Sequence, residues 1–308
     1  MRLLSLIIVV ALSAVPVFAQ EGRFYADISA GAAVFNIESN LYTDSENEEI
    51  DSLDADAESI STTMPVLVFD AGYKTKDTTY YIKTPFDEGD YGLAAGVKHD
   101  FGEAGDIDVS VFTKLGSEVW ENPYVLDRDA TDADVAGIDV TYRKIGGTGF
   151  ELDYALTTIS VDEDKAADAY EELDRSGLVH DIKLGYAYSV APGTAIVPGI
   201  RVERGQLEGE AESWQGFGAG LELRRFSKTY FTKMSLNYKK DNFDEENPYF
   251  GETREDSSVS GFFMFSYRGF SNKRVSATLL AYYSVSDSEI DFFDSKASAL
   301  AGVLGYSF

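Results

Sequence analysis

The sequence predicts an all-β fold, a transmembrane antiparallel up-and-down β-barrel of about fourteen strands. Three observations predict it. After residue 20, apolar and polar residues alternate with a period of two, the pattern of a strand with one apolar face. The alternating segments run mostly ten to fourteen residues. A soluble strand is usually about five or six, and roughly nine to eleven cross a bilayer at a tilt. The connections alternate between short turns and longer acidic loops, the arrangement of outer-membrane barrels.

The chain begins with a basic Met1-Arg2, an apolar run from Leu3 to Leu12, and Val15-Pro16-Val17-Phe18-Ala19, with small residues placed for cleavage after Ala19. This reads as a cleavable signal peptide over 1–19, too short in its apolar run for a membrane helix. It leaves 20–308 as the barrel. The expected strands cover 22–37, 62–73, 77–86, 90–101, 105–116, 134–145, 149–161, 178–190, 194–205, 213–226, 228–240, 256–269, 274–286 and 295–308. In 149–161, for example, Phe150, Leu152, Tyr154 and Leu156 alternate with Glu151, Asp153, Ala155 and Thr157. Twelve strands is the alternative count, because Pro65, Pro85 and Pro198 interrupt their segments and proline donates no ladder hydrogen bond.

Short turns at 74–76, 102–104, 146–148, 191–193, 227 and 270–273 belong at the periplasmic end, with both termini. The loops at 38–58, 87–90, 117–134, 162–177, 206–212, 241–255 and 287–294 belong at the external end. The whole chain holds 53 acidic and 26 basic residues. These loops alone hold 38 acidic and 4 basic ones. The expectation is a slightly basic barrel under a solvated acidic crown. Such a crown suits divalent cations that bridge to lipopolysaccharide, although no loop follows the twelve-residue calcium pattern and no metal site is expected. A soluble β-sandwich fits less well. Tyr142, Phe150, Tyr188, Phe217, Tyr230, Tyr238, Tyr267 and Tyr283 share the outward parity, as membrane girdles require.

Composition narrows the function. The chain has no cysteine, which excludes disulfides, iron–sulfur clusters and thiolate zinc. Its net charge of −27 repels nucleic acid. Its two histidines, His99 and His180, fall on the outward parity at opposite ends of the barrel and cannot form one site. No enzymatic activity and no cofactor is expected. The inward parity carries Asp106, Asp108, Asp139, Glu151 and Asp153 in 105–161, and Arg201, Arg224, Lys233, Lys239, Arg268 and Arg274 in 194–274. The expectation is an acidic lumen wall facing a basic one, as in porins that orient solutes. Trp120 and Tyr124 are expected on the rim as interface anchors. Leu304, Tyr306 and Phe308 close the chain on one parity. They resemble the C-terminal signal read by the outer-membrane assembly machinery.

Three segments carry a family likeness: Gly116-Ser117-Glu118-Val119-Trp120-Glu121-Asn122-Pro123-Tyr124, Leu173-Asp174-Arg175-Ser176-Gly177, and Phe243-Asp244-Glu245-Glu246-Asn247-Pro248-Tyr249-Phe250 with Thr253-Arg254-Glu255-Asp256. They resemble a family of uncharacterised proteobacterial outer-membrane proteins known as domain of unknown function 2860, over nearly the whole mature chain. The resemblance implies a bacterial envelope setting and no site residues. The expected function is a narrow passive channel for small polar or charged solutes in the outer membrane. The alternative is a closed structural or surface-interaction barrel whose acidic loops meet cations, lipopolysaccharide or other cells.

Overall fold

The computed structural model describes residues 22–87 and 90–308. The predicted signal peptide lies outside the described residues. Fourteen antiparallel strands follow one another around a ring. They are β1 (Arg23–Ser39), β2 (Ser59–Lys74), β3 (Thr78–Lys83, continued at Phe86–Asp87), β4 (Asp90–Asp100), β5 (Asp106–Lys114, continued at Glu118–Trp120), β6 (Ala130–Arg143) and β7 (Phe150–Val161). They continue with β8 (Gly177–Tyr186, continued at Tyr188–Ala191), β9 (Thr194–Leu207), β10 (Trp214–Phe226), β11 (Tyr230–Asn247), β12 (Glu252–Tyr267), β13 (Val275–Ser288) and β14 (Ser295–Ser307). Each strand pairs with its sequence neighbours, and β14 pairs back onto β1 from Asp27↔Ser307 to Ser39↔Ser295. The sheet has no open edge. With strands about 4.8 Å apart and tilted about 40°, fourteen of them enclose a cylinder roughly 28 Å across its backbone.

Residues directly opposite in an antiparallel pair share a face, so the register sorts every side chain. Leu236, Leu304 and Phe308 lie outward, at 61%, 66% and 68% exposure, with Ile28, Leu67, Leu221 and Leu300 similarly bare. At the turn end the outward aromatics meet in pairs: Phe24–Tyr73, Phe150–Tyr186, Tyr267–Phe270 and Tyr306–Phe308, with centroids 4.8, 4.8, 5.0 and 4.9 Å apart. An apolar face turned outward, with the strands' charges gathered inside, inverts the usual globular order. The short turns use backbone that side chains rarely adopt. Gly193 takes φ 73° in the Ala191–Gly193 turn, where a Cβ would meet the Phe226 carbonyl oxygen at 2.3 Å.

The strand count is the expected fourteen and not the alternative of twelve, and one expectation, on a loop, is corrected. Pro65 and Pro198 stay within β2 and β9, opposite Ala32 and Leu221, at points where the other side of each strand has no paired residue. Of the three prolines only Pro85 sits in a strand break, at Thr84-Pro85 between the two parts of β3. The expected 241–255 loop is mostly strand. β11 and β12 run on as a hairpin to Asn247 and Glu252, leaving a turn over 248–251.

Candidate functional site

The lumen is charged on one arc and apolar on the other. From β5 to β11 the inward positions carry Asp106 and Asp108, Asp139, Glu151 and Asp153, Lys183, Arg201 and Glu203, Glu222 and Arg224, then Lys233, Lys239 and Asp241. Most of these cations are held by carboxylates. Lys98 meets Asp106 at 2.6 Å. Arg201 meets Asp181 at 2.8 Å and Glu203 at 2.9 Å. Lys239 meets Glu203 at 3.1 Å and Asp241 at 2.8 Å. Arg224 bonds Glu222 on its own strand and Glu151 at 2.8 Å, three strands away on β7. The path is clear because Gly185, Gly199 and Gly220 occupy the aligned inward positions between them. A cavity of about 10 Å³, room for about one water, remains beside this bridge among Asp153, Lys183, Glu222 and Asn237.

The carboxylates of β5 to β7 are held differently. Asp108 accepts from the Tyr81 hydroxyl at 2.6 Å and Asp153 from Thr141 Oγ1 at 2.7 Å. The expectation of facing acidic and basic walls is therefore corrected. In a ring of fourteen the strand opposite β6 is β13, and that side of the lumen is apolar. Ala33, Val66, Phe262, Leu280, Ala301 and Val303 form one buried cluster, joined by Phe35, Val68, Met264 and Tyr282. All lie on the inward face of β12 to β14, β1 and β2. Arg268 and Arg274 do not line this wall. Both are exposed at the turn end, and the Arg274 guanidinium reaches the Tyr306 hydroxyl at 3.5 Å. A run that is apolar on both parities, such as Gly261-Phe262-Phe263-Met264-Phe265, was the available signal.

Above the charged arc, the loops do not stand apart in solvent. Among the described residues, six connections at the loop end send side chains into a single buried core. Ile50 and Leu53 come from the β1–β2 loop, and Tyr124 from β5–β6. Ala166 and Leu173 come from β7–β8, Ala211 from β9–β10, Tyr249 and Phe250 from β11–β12, and Ile290, Phe292 and Phe293 from β13–β14. Tyr124 stacks on Tyr249 at 4.6 Å and lies 5.7 Å from Phe292. The loops holding Tyr124 and Phe292 are rooted eight strands apart, nearly opposite on the ring. For their rings to touch, they must cross the mouth, so the core is a cap. A five-residue helix, α1 (Lys165–Ala169), sits in it, capped by Asp164 accepting from the Ala167 amide at 3.2 Å.

Polar groups lock the cap. Arg128, buried, donates to the Asn40 carbonyl at 2.6 Å and to the Asn47 carbonyl, and lies 4.6 Å over the Trp120 ring. Trp120 Nε1 donates to the same Asn40 carbonyl at 3.2 Å. Arg254 stacks 3.9 Å from the Phe293 ring centre. The Tyr124 hydroxyl donates to Glu212 at 2.8 Å and accepts from Asn247 Nδ2 at 3.1 Å. Desolvation lifts the Glu212 carboxyl above its ordinary value, with Arg254 and the Tyr124 hydrogen bond pulling the other way. Burial and the Glu212 charge lift the Tyr124 phenol, while desolvation lowers the Arg128 guanidinium to about 10.

Trp120 and Tyr124, expected on the rim, are 2% and 4% exposed inside the cap. The aromatic pairs Tyr249-Phe250 and Phe292-Phe293, inside otherwise acidic stretches, were the sequence signal for it. All three segments that carry the family likeness contribute to the cap. His99 and His180 do face outward, bonding Thr78 at 2.8 Å and Tyr154 at 3.0 Å. Leu304, Tyr306 and Phe308 stand at the seam, where the Phe308 amide donates to the Ala26 carbonyl at 2.8 Å.

One family model matches residues 24–307, under the description protein of unknown function (DUF2860). No protein with a curated description matches the sequence. Among solved structures, the outer membrane channel DcaP of Acinetobacter baumannii is 11% identical with a TM-score of 0.45, over 94% of this chain and 97% of that one. OccK11 (OpdR) of Pseudomonas aeruginosa is 11% identical at 0.37, over 92% and 96%. A loop-deletion mutant of OmpT, an outer membrane protein of Vibrio cholerae, is 11% identical at 0.40, over 94% and 99%. At these identities and TM-scores, the likeness carries no functional information.

Proposed function

The chain belongs to this family, DUF2860, whose description assigns no activity, and we propose that it is an outer-membrane barrel acting as a narrow passive channel for small polar or charged solutes. The location rests on the apolar outer face, its aromatic pairs at the turn end and strands long enough to cross a bilayer. The observation that carries the channel reading is the charged inner arc. Ionised side chains from β5 to β11 point inward, and a cation such as Arg201 keeps 40% of its side chain exposed within the barrel. A lumen built only to be filled would bury apolar groups there instead. Solutes of matching polarity would pass along this arc, and the cap would set how often the mouth opens.

The cap itself favours a second reading, a closed structural or surface-interaction barrel. Its acidic loops would then meet divalent cations, lipopolysaccharide or another cell. Conductance of the refolded protein in planar bilayers separates the two. The channel reading expects brief, small openings that lengthen in Phe292→Ala, which loosens the cap. Silence in both proteins, with the barrel folded by heat-modifiable gel mobility, overturns it. The C-terminal Leu304, Tyr306 and Phe308 are proposed to engage the assembly machinery, and removing Phe308 should then lower insertion in cells. No enzymatic role is proposed.

A further inference from the structure

The turn end of the barrel is charged unevenly. The turns after β2 and β4 carry Asp77 and Glu103, and Lys76 meets Asp77 at 3.9 Å. The turns after β8, β10 and β12 carry no acid. Residues 182–202, 223–240 and 257–286 contain no aspartate or glutamate. Arg225, Lys228 and Arg268 stand exposed there. Among the described residues, none of the three is in a salt bridge. The Arg225 guanidinium lies 5.8 Å over the Tyr230 ring, which holds it in place without neutralising it.

These turns are tied together. The Phe226 amide donates to the Gly193 carbonyl at 2.7 Å, and the Arg268 amide donates to the Thr229 carbonyl at 2.7 Å. Between the turns after β8 and β10 lies an open groove of about 520 Å³, lined by Pro192, Gly193, Arg225, Phe226, Ser227 and Lys228. Pockets of roughly 300–1,000 Å³ take small organic groups. Arg225 pairs with Thr194 and Thr232 on the outward parity. Next above it on that face stand Leu223, between Ile196 and Met234, and then Leu221, between Pro198 and Leu236. Leu221, Met234 and Leu236 are exposed. Uncompensated cations therefore sit at the foot of a bare apolar surface, the order in which a lipid presents headgroup and chains.

We propose that this groove binds an anionic phospholipid of the periplasmic leaflet, its phosphate held by Arg225 and Lys228 and its acyl chains lying along Leu223, Leu221 and Leu236. A zwitterionic lipid would bring its own ammonium to a place with no carboxylate to receive it. The proposal rests on the membrane placement of the barrel and not on the channel. The test is native mass spectrometry of the refolded protein from detergent micelles doped equally with phosphatidylglycerol and phosphatidylcholine of matched chains. A basic residue near an anionic lipid surface is worth about a fivefold preference, so phosphatidylglycerol should be retained at least about fivefold over phosphatidylcholine. The double variant Arg225→Gln, Lys228→Gln should bring that ratio below about twofold with heat-modifiable mobility unchanged, and Lys76→Gln should leave it intact. Equal retention of the two lipids by the wild type, or an undiminished preference in the double variant, overturns the site. Displacement of the lipid by millimolar inorganic phosphate overturns it too, since the ligand would then be a free anion. Insertion into phosphatidylcholine vesicles keeps the two ideas apart. A barrel that does not insert refutes the membrane placement, and one that inserts but shows no preference in micelles refutes the site alone.

Discussion

Replacing Phe292 with alanine tests whether six loops share one core. The ring is 1% exposed, with Phe293, Phe250 and Tyr124 at 5.2, 5.4 and 5.7 Å. Truncating a buried phenylalanine costs about 3–5 kcal/mol, part lost transfer energy and part the cavity left behind. The cost falls on the cap, because the barrel below is a closed ladder that Phe292 does not join. At about 1.4 kcal/mol per tenfold, the open population of the cap should rise by roughly two to three and a half orders of magnitude. Hydrogen exchange read by mass spectrometry gives the assay. Protection should fall not only at 288–294 but also at 118–128 and 162–177, which join the ring on its other side. Loss of protection at 288–294 alone would mean that the loops pack independently, and the argument that they close the mouth would fail.

Glu212 should make the cap sensitive to pH. Its carboxyl is raised in the folded state by desolvation, so the closed cap binds the proton more tightly than the open loops do. No penalty exists below the free carboxyl value of about 4.3, and cap stability falls as pH rises through the raised value. Limited proteolysis of the loops should therefore speed up from pH 4 to 8, and Glu212→Gln should remove that dependence. In a Trp214→Phe background the remaining Trp120 should emit at short wavelength and resist iodide quenching; ready quenching would restore it to the rim. Arg128→Lys should fail to hold the Asn40 and Asn47 carbonyls together, since an ammonium lacks the planar fork. A loss of about 2–4 kcal/mol in cap opening is expected by exchange, and a negligible change would refute the lock. Arg224→Gln cuts the bridge to Glu151 and should raise conductance and shift the reversal potential toward cations.

The strand order, the face of every strand and the turn end were legible in the sequence because they are local. Alternation sets which parity faces lipid, and turns such as Pro192-Gly193 need only their own residues. The parity of Asp106, Asp139, Glu151, Arg201 and Arg224 was readable for the same reason. What those charges do was not. The Arg224–Glu151 bridge needs three glycines on separate strands to fall in one row, which depends on the register of each pair. Trp120 and Tyr124 were misplaced because an amphipathic aromatic suits a rim and a core equally well when only its neighbours in sequence are seen.

The sequence by itself determined a barrel, since only helices and closed barrels satisfy their backbone polar groups while presenting apolar faces outward, and alternation with a period of two excludes helices. Only the tertiary structure decided that the loops form a cap and that the lumen is divided into a charged arc and an apolar one. Both follow from ring closure. It sets β13 opposite β6, and it brings Phe292 to Tyr124 across a mouth that separates them by 168 positions of chain.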